Sequence, residues 1–193
     1  MNSDPGGLEG YHWRGLKMKR LKKILGGSVY ILIILAVTLV VVKFIAQRIA
    51  VDGMSMEPTL YNGDNLIINK ISYDSNEPER FDVVVFPFSG EEGTFYIKRI
   101  IGLPGENIRI DDEGKIYING EELKENFGKE TIEDPGMARY GIDLGLKEFF
   151  VLGDNRNDSS DSRFASVGNI SRNSIIGKAW IRIWPLNRIG FIR

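Results

Sequence analysis

The hydrophobic residues of this chain form one long uninterrupted run, which is followed by many short segments. The run extends from Ile24 to Val42, nineteen consecutive residues without a charged side chain. As an α-helix it would be roughly 28 Å long, close to the hydrocarbon thickness of a bilayer. No part of the run forms the polar face that a surface helix of a soluble protein carries. The pattern therefore predicts a single transmembrane helix over residues 24–42.

Beyond residue 50 the pattern changes to short segments that are rich in β-branched and aromatic residues. Turn sequences such as YNGD, LPGE and DDEG separate these segments. They predict strands at residues 65–71, 81–88, 94–103, 107–110, 115–123, 148–153 and 177–186. No helical periodicity of useful length appears in this part of the sequence. We therefore expect a mainly β domain over residues 43–193, with the polar stretch 121–147 as a loop-rich insertion.

Basic residues are concentrated on one side of the predicted membrane helix. Only Lys43 and Arg48 follow it closely, whereas six basic residues precede it: Arg14, Lys17, Lys19, Arg20, Lys22 and Lys23. Because basic flanks stay in the cytoplasm, we expect a single-pass protein of the cell membrane. Residues 1–23 would be its cytoplasmic basic tail, and residues 43–193 its extracytoplasmic domain. The alternative is a cleaved secretory signal, but the run exceeds the apolar core of about 7–15 residues typical of such signals, and no small-x-small cleavage site clearly follows it.

The composition excludes several kinds of function. The formal net charge is −1, so the overall charge gives no reason to expect a nucleic-acid partner. Cysteine is absent, which excludes disulfides and a cysteine nucleophile. The single histidine, His12, precedes the predicted membrane helix, so the outer domain has neither a Ser–His–Asp triad nor a zinc site built on histidine or cysteine. We expect no metal and no cofactor, and a nucleophile in this domain needs a lysine or a carboxylate as its base.

Ser55 and Lys98 are the candidates for a nucleophile and its base. Ser55 lies in GMSMEPTL, residues 53–60, and most serines in such turns are structural. Lys98 lies in FYIKRIIGL, a predicted strand with two otherwise apolar faces, so we expect Lys98 or Arg99 to be partly buried. Of these two cations, only lysine readily gives up its proton. The alternative is that Lys98 extends to water from an edge strand.

A third segment, GDNRNDSSDSR, spans residues 153–163 and is dense in polar side chains. It does not fit a calcium-binding EF-hand loop: counted from Asp154, position 6 is Ser159 instead of glycine, and position 12 is Ala165 instead of glutamate. The remaining interpretations are a hydrogen-bonded turn that orients a neighbouring lysine, and an ordinary surface loop.

Four segments, taken together and in this order, resemble those of the bacterial type I signal peptidases, membrane-anchored serine proteases that use a Ser–Lys dyad. The segments are SMEPTL, RFDVVVF, YIKRIIGLPGE and GDNRNDSSDSR, and the resemblance extends from the predicted anchor to the C-terminus. It implies a mainly β catalytic domain of the signal peptidase/LexA-like kind after a single N-terminal transmembrane helix. It also implies removal of N-terminal signal peptides from secreted preproteins, with cleavage after small residues in an A-x-A pattern.

The resemblance implies roles for individual residues. Ser55 is the expected nucleophile and Lys98 the expected general base, which a hydrogen bond from Ser159 would orient. The expected supporting polar network consists of Asp154, Arg156, Asp161 and Arg163. The expected substrate contacts are Met56, Leu60, Tyr96 and Ile97. The expected partners are signal peptides and the lipid bilayer, and the sequence carries no indication of an oligomeric state.

One position departs from part of the family. Some members carry a serine hydroxyl two residues before the nucleophile as an oxyanion donor, and this chain has Gly53 there. We therefore expect backbone N–H groups, including that of Ser55, to bind the oxyanion. Two other interpretations of the whole chain remain at this point: an anchored, noncatalytic β domain that binds extracellular peptides, and a Ser–Lys protease with a different target.

Overall fold

The computed structural model describes residues 27–40, 46–88 and 90–193. The chain divides into two compact units, Met1–Lys43 and Phe44–Arg193. In the first unit, residues 27–40 form an α-helix with exposed side chains. The predicted membrane segment 24–42 extends past these residues at both ends, and the predicted tail 1–23 lies outside the described residues. Within the described ranges, no helix has the length and hydrophobicity needed to span a bilayer.

The second unit is mainly β, as the sequence pattern predicts. Within the described residues its strands are, in chain order, β1 (Ala46–Ala50), β2 (Asn65–Asn69), β3 (Val83–Pro87), β4 (Phe95–Gly102), β5 (Asn107–Ile110), β6 (Ile116–Ile118), β7 (Glu121–Glu122), β8 (Ile142–Asp143), β9 (Glu148–Leu152), β10 (Ile170–Ser171), β11 (Gly177–Trp184) and β12 (Gly190–Phe191). Short 3₁₀ helices occupy Gly136–Tyr140, Arg172–Ser174 and Leu186–Arg188. Each of the seven predicted segments contains at least one of these strands.

The larger sheet has eight strands in an order that differs from the chain order. The order is β1–β2–β11–β3–β4–β9–β10, and β12 pairs with β11. Every pairing is antiparallel. Strand β4 lies between β3 and β9, but among the described residues its first half pairs only with β3, because the pairing with β9 begins at Arg99. One edge of residues 95–98 is therefore open to a further strand.

The smaller sheet has the order β7–β6–β5–β8. Residues 115–123, predicted as one strand, form a hairpin of β6 and β7 around Asn119-Gly120. Asn119 and Gly120 both adopt positive φ angles, 53° and 86°. An Asn-Gly pair supplies this conformation in a tight hairpin turn. The predicted insertion 121–147 thus begins within this sheet and returns to it at β8.

Three clusters of buried apolar side chains form the interior. One joins the end of β4 and β9 to the smaller sheet, and another lies along β3, β4 and β9 on the larger sheet. The third contains Leu66, Ile68 and Val85 from the strands together with Met56 and Leu60 from the turn after β1. Burial of these two turn residues fastens the segment that carries Ser55 to the sheet. Strand β1 itself, AQRIA, has too weak an apolar alternation to be recognised in the sequence.

Candidate active site

Ser55 and Lys98 meet at the open edge of β4. Lys98 Nζ donates a hydrogen bond to Ser55 Oγ at 2.6 Å. The two residues are 43 positions apart in the chain. Ser55 is half-buried in its turn, whereas Lys98 is 3% exposed. The alternative of a lysine that extends to water is therefore wrong.

The surroundings of Lys98 disfavour its charged form. The contact of Nζ with the ring of Tyr96, 5.1 Å from the ring centroid, by itself favours the ammonium, but the burial of the side chain outweighs it. Burial is the largest influence and lowers the pKa of Lys98 from 10.5 to about 8. Asp161 acts in the opposite direction, Arg163 adds to the lowering, and Asp154 and Asp158 oppose it. A buried amine with this pKa is neutral in a useful fraction of molecules near neutral pH.

The turn of residues 53–60, called the nucleophile turn below after the candidate nucleophile Ser55, is held from below by the loop after β9. Asn155 N donates to Ser55 O at 3.0 Å, and Asn155 Nδ2 donates to Met54 O at 3.1 Å. Gly153 permits this approach, since a Cβ atom there would collide with Ser55 O and with the Ser159 side chain. The loop 153–163 is therefore the floor of the site and not an ordinary surface loop.

A buried ion pair that the sequence did not reveal stabilises this floor. Arg99 Nε and Nη2 donate to the two carboxylate oxygens of Asp154 at 2.8 and 2.7 Å, and both side chains are fully buried. Thr59 Oγ1 donates to Asp154 Oδ2 at 2.5 Å, and Arg99 Nη1 donates to Phe81 O at 2.9 Å. The sequence placed both cations of β4 between apolar residues, but it gave no signal that Arg99 pairs with a residue 55 positions away.

The other predicted network residues lie together in the same floor. Arg163 pairs with Asp161, with Nε to Oδ1 at 2.8 Å, and its Nη2 donates to Arg156 O at 2.5 Å. Asp161 Oδ2 also accepts from Gly153 N at 3.1 Å. Arg156 pairs with Glu125, a second partner that the sequence did not reveal. All four predicted network residues, Asp154, Arg156, Asp161 and Arg163, are buried.

Two sequence-based expectations need correction. Ser159 lines the cleft beside Lys98, but its buried Oγ makes no hydrogen bond within the described part of the chain, so the expected bond to the lysine is not formed. The unpaired Oγ is packed against the Gly153 backbone instead. Leu60 is fully buried in the apolar cluster under the turn and does not line the cleft. Its apolar character therefore reflects core packing and not substrate contact.

An open cleft of about 620 Å³ surrounds the Ser55–Lys98 pair. Three of the predicted substrate contacts, Met56, Tyr96 and Ile97, line it. Its walls come from residues 49–56, from residues 94–98 and from residues 157–160 with Phe164. The contribution of residues 49–52 was not predicted, because β1 was not recognised. Among the described residues, no group of acidic or histidine side chains is placed to hold a metal ion.

A buried amine beside a serine hydroxyl, in a cleft along an open strand edge, fits a serine hydrolase that works without histidine. A family model described as "Signal peptidase, peptidase S26" matches residues 24–184. The chain belongs to this family and is a serine endopeptidase. The alternative of a noncatalytic peptide-binding domain is therefore wrong.

Known relatives match most of the chain. A probable signal peptidase I-2 of Synechocystis sp. is 39% identical over 174 residues, which cover 87% of this chain and 76% of that protein. The signal peptidase I of Leptolyngbya laminosa is 41% identical over 158 residues, 76% of this chain and 73% of that protein. A crystal structure of a signal peptidase I from Enterococcus faecalis is 33% identical and covers 53% of this chain and 97% of its own, with a TM-score of 0.42.

Proposed function

We propose that this protein removes signal peptides from secreted preproteins, with Ser55 as the nucleophile and Lys98 as the general base. The observation that carries the proposal is the 2.6 Å separation of Lys98 Nζ and Ser55 Oγ at a lysine that is 3% exposed. The substrate class is supported by the relatives named signal peptidase I, which match most of the chain.

The chemistry begins with the neutral amine. Lys98 Nζ accepts the hydroxyl proton as Ser55 Oγ attacks the scissile carbonyl carbon. The ammonium then gives this proton to the leaving amine, the C–N bond breaks, and an ester remains on Oγ. Water, deprotonated by the same amine, attacks the ester and releases the new carboxylate. With a pKa of about 8, roughly a tenth of the lysine is neutral at pH 7.

Backbone groups are the expected oxyanion donors. Gly53 contributes no side chain, and its N–H already donates to Asn62 Oδ1 at 3.1 Å. The N–H of Ser55 makes no hydrogen bond within the described residues and is free to donate to substrate. A donor fixed beside the nucleophile stabilises the charge that develops on the carbonyl oxygen.

The cleft suits an extended peptide. Residues 95–98 of β4 present an open edge on the side of the cleft, so a substrate strand can pair with their backbone. Alternate side chains of such a strand point toward the enzyme, where Met56, Tyr96 and Ile97 leave apolar space near Ser55. Two small residues separated by one residue would both point into this apolar space, which supports cleavage after an A-x-A pattern.

We further propose that the protein is anchored in the membrane by residues 24–42, with its catalytic domain outside the cytoplasm. The uncharged run and its basic flank support this topology. A second feature is the exposed apolar surface of the C-terminal segment, formed by Trp180, Trp184, Leu186, Ile189 and Phe191. Tryptophan favours the boundary between lipid and water, so this segment is suited to contact the bilayer.

The decisive experiment uses the full chain reconstituted in liposomes with a preprotein whose signal peptide ends in A-x-A. We expect one cleavage, directly after the second alanine, as mass spectrometry of the products would identify. Ser55→Ala should leave the preprotein intact while its circular dichroism stays that of the wild type. A matched preprotein with leucine at both alanine positions should also remain uncut.

Absence of cleavage by the wild-type chain would contradict the proposed substrate. Normal cleavage by Ser55→Ala would remove Ser55 from the mechanism. Alkaline extraction of membranes tests the anchor separately: the full chain should stay in the lipid pellet, whereas a variant lacking residues 24–42 should be released.

A further inference from the structure

We infer that residues 125–129, called the strap below, position the catalytic serine by fixing Arg156, which lies in the floor of the site, and Arg99, which pairs with the floor residue Asp154. The strap belongs to the polar insertion and does not line the cleft around Ser55. This inference rests on the proposed function, because it concerns the rate of that reaction. Three independent contacts connect the strap to the floor.

The first contact is a buried ion pair between Glu125 and Arg156. Arg156 Nη1 donates to Glu125 Oε1 at 2.7 Å, with side chains 3% and 9% exposed. The other carboxylate oxygen accepts from Phe127 N at 2.6 Å. Burial tends to raise the pKa of Glu125, but the hydrogen bond and charge of Arg156 hold it below its ordinary value. The pair is therefore charged under working conditions, and Arg156 in turn donates to Gly153 O at 3.1 Å.

The second contact is made by the ring of Phe127. The guanidinium carbon of Arg99 lies 3.9 Å from the centroid of this ring, and Phe81 packs against the same ring at 5.0 Å between centroids. A guanidinium stacked on an aromatic face loses its freedom to move out of plane. Arg99 is the residue that holds both oxygens of Asp154, so Phe127 fixes the ion pair under the nucleophile turn.

The third contact is made by Lys129, and it reaches both sides of the nucleophile turn. Its backbone N–H donates to Asp154 O at 2.7 Å. Its side-chain Nζ pairs with Glu57, two residues after Ser55, at 3.1 Å. The first of these bonds holds the floor, and the second is a partly exposed pair that contributes little by itself.

Residues 153–155 connect the strap contacts to the turn that carries Ser55. Asn155 N and Nδ2 bond the carbonyls of Ser55 and Met54, and Gly153 lies against the Ser55 carbonyl. A displaced strap would let Asp154 and its neighbours shift, and Ser55 would move relative to Lys98. A misplacement of about 1 Å at a reacting pair is enough to cost as much as a hundredfold in rate.

Phe127→Leu tests the inference, since it removes the ring but keeps an apolar side chain. We expect kcat for preprotein cleavage to fall about tenfold to a hundredfold with little change in KM, because the strap does not touch substrate. Glu125→Gln removes the negative charge from the ion pair with Arg156 and should also lower kcat. Phe127→Tyr keeps the ring and should restore activity, and Asn126→Ala, an exposed neighbour, is the matched control.

A second measurement separates positioning from stability. Loosening the floor admits water to the amine, so the pKa of Lys98 should rise above its wild-type value of about 8 in Phe127→Leu. The titration of Lys98 by nitrogen-15 NMR reports this rise, and the acid limb of kcat/KM should move to higher pH by the same amount. Asn126→Ala should show neither change.

Wild-type kcat and an unchanged Lys98 titration in both Phe127→Leu and Glu125→Gln would overturn the inference. The inference would also be overturned if the variants lose activity only in proportion to a lower melting temperature, while the Lys98 titration stays that of the wild type. If the wild-type chain cuts no preprotein, the proposed function fails, and the NMR titration still decides whether the strap controls the surroundings of Lys98.

Discussion

Replacement of Lys98 by methionine should abolish cleavage and at the same time stabilise the fold. Methionine has a similar length and no charge, so it fills the same space beside Tyr96 without a buried ammonium. Burial lowers the pKa of Lys98 from 10.5 to about 8. A difference of about 2.5 pKa units corresponds to about 3 kcal/mol against the folded state at pH 7, where the lysine is mostly protonated both folded and unfolded.

The net gain is smaller than this figure, because the variant also loses a hydrogen bond. Nζ no longer bonds Ser55 Oγ, which costs about 1 kcal/mol. We therefore expect Lys98→Met to be about 2 kcal/mol more stable at pH 7, a rise in melting temperature of about 4–8 °C for a domain of this size.

The pH dependence of this gain has a definite sign. Below pH 8 the wild type carries the full penalty of a desolvated ammonium. Between about pH 8 and 10.5 the folded lysine is neutral while the unfolded lysine is still protonated, so wild-type stability rises relative to the variant. The advantage of Lys98→Met should therefore shrink over this range and become a deficit of about 1 kcal/mol above it, where only the lost hydrogen bond remains.

Near-ultraviolet circular dichroism of the two full-length proteins, melted in the same detergent at pH 7 and at pH 10.5, measures the difference directly. Preprotein cleavage is assayed in parallel. A variant that is less stable than the wild type at pH 7, or a difference that does not change with pH, would refute the reasoning that burial suppresses the charge of Lys98.

Three further outcomes are expected. The kcat/KM of the wild type should fall about tenfold for each pH unit below pH 8, since only the neutral amine is active; a profile that is flat down to pH 6 would exclude a lysine base. Gly153→Ala should lose cleavage while binding an uncleaved signal peptide with near-normal affinity in a fluorescence titration, because the added methyl group collides with the Ser55 carbonyl; normal kcat would show that the turn can move freely. Arg99→Met should lower the free energy of unfolding in urea by about 3–5 kcal/mol, because Asp154 is left charged and buried. The double variant Arg99→Met/Asp154→Leu should recover much of this loss. An equal loss in the single and the double variant would argue against the ion pair.

The sequence alone located most of the strands, although not β1, and it suggested Ser55 and Lys98 as a reacting pair. Alternating β-branched segments and turn residues located seven strand-bearing segments, because side-chain alternation and turn geometry are local properties. A lysine between apolar residues in FYIKRIIGL was enough to suggest a buried amine, and the absence of cysteine and of a second histidine left few other bases for Ser55. The resemblance of four segments then indicated the family, which the comparisons confirm.

Only the tertiary structure decided the strand order and the floor of the site. Strand β11 lies between β2 and β3 in the sheet, although most of the domain separates β11 from both strands in the chain. Its position in the sheet depends on which faces of the strands pack together. The partners of Arg99 and Arg156 lie 55 and 31 residues away, in segments whose patterns carry no mark of the pairing. The Ser159 hydroxyl, which finds no partner in the part of the chain that the structure describes, and the burial of Leu60 also depend on neighbours that are distant in sequence. Local pattern records which side chains favour burial, whereas the partner that satisfies a buried charge is set by the packing of the whole domain.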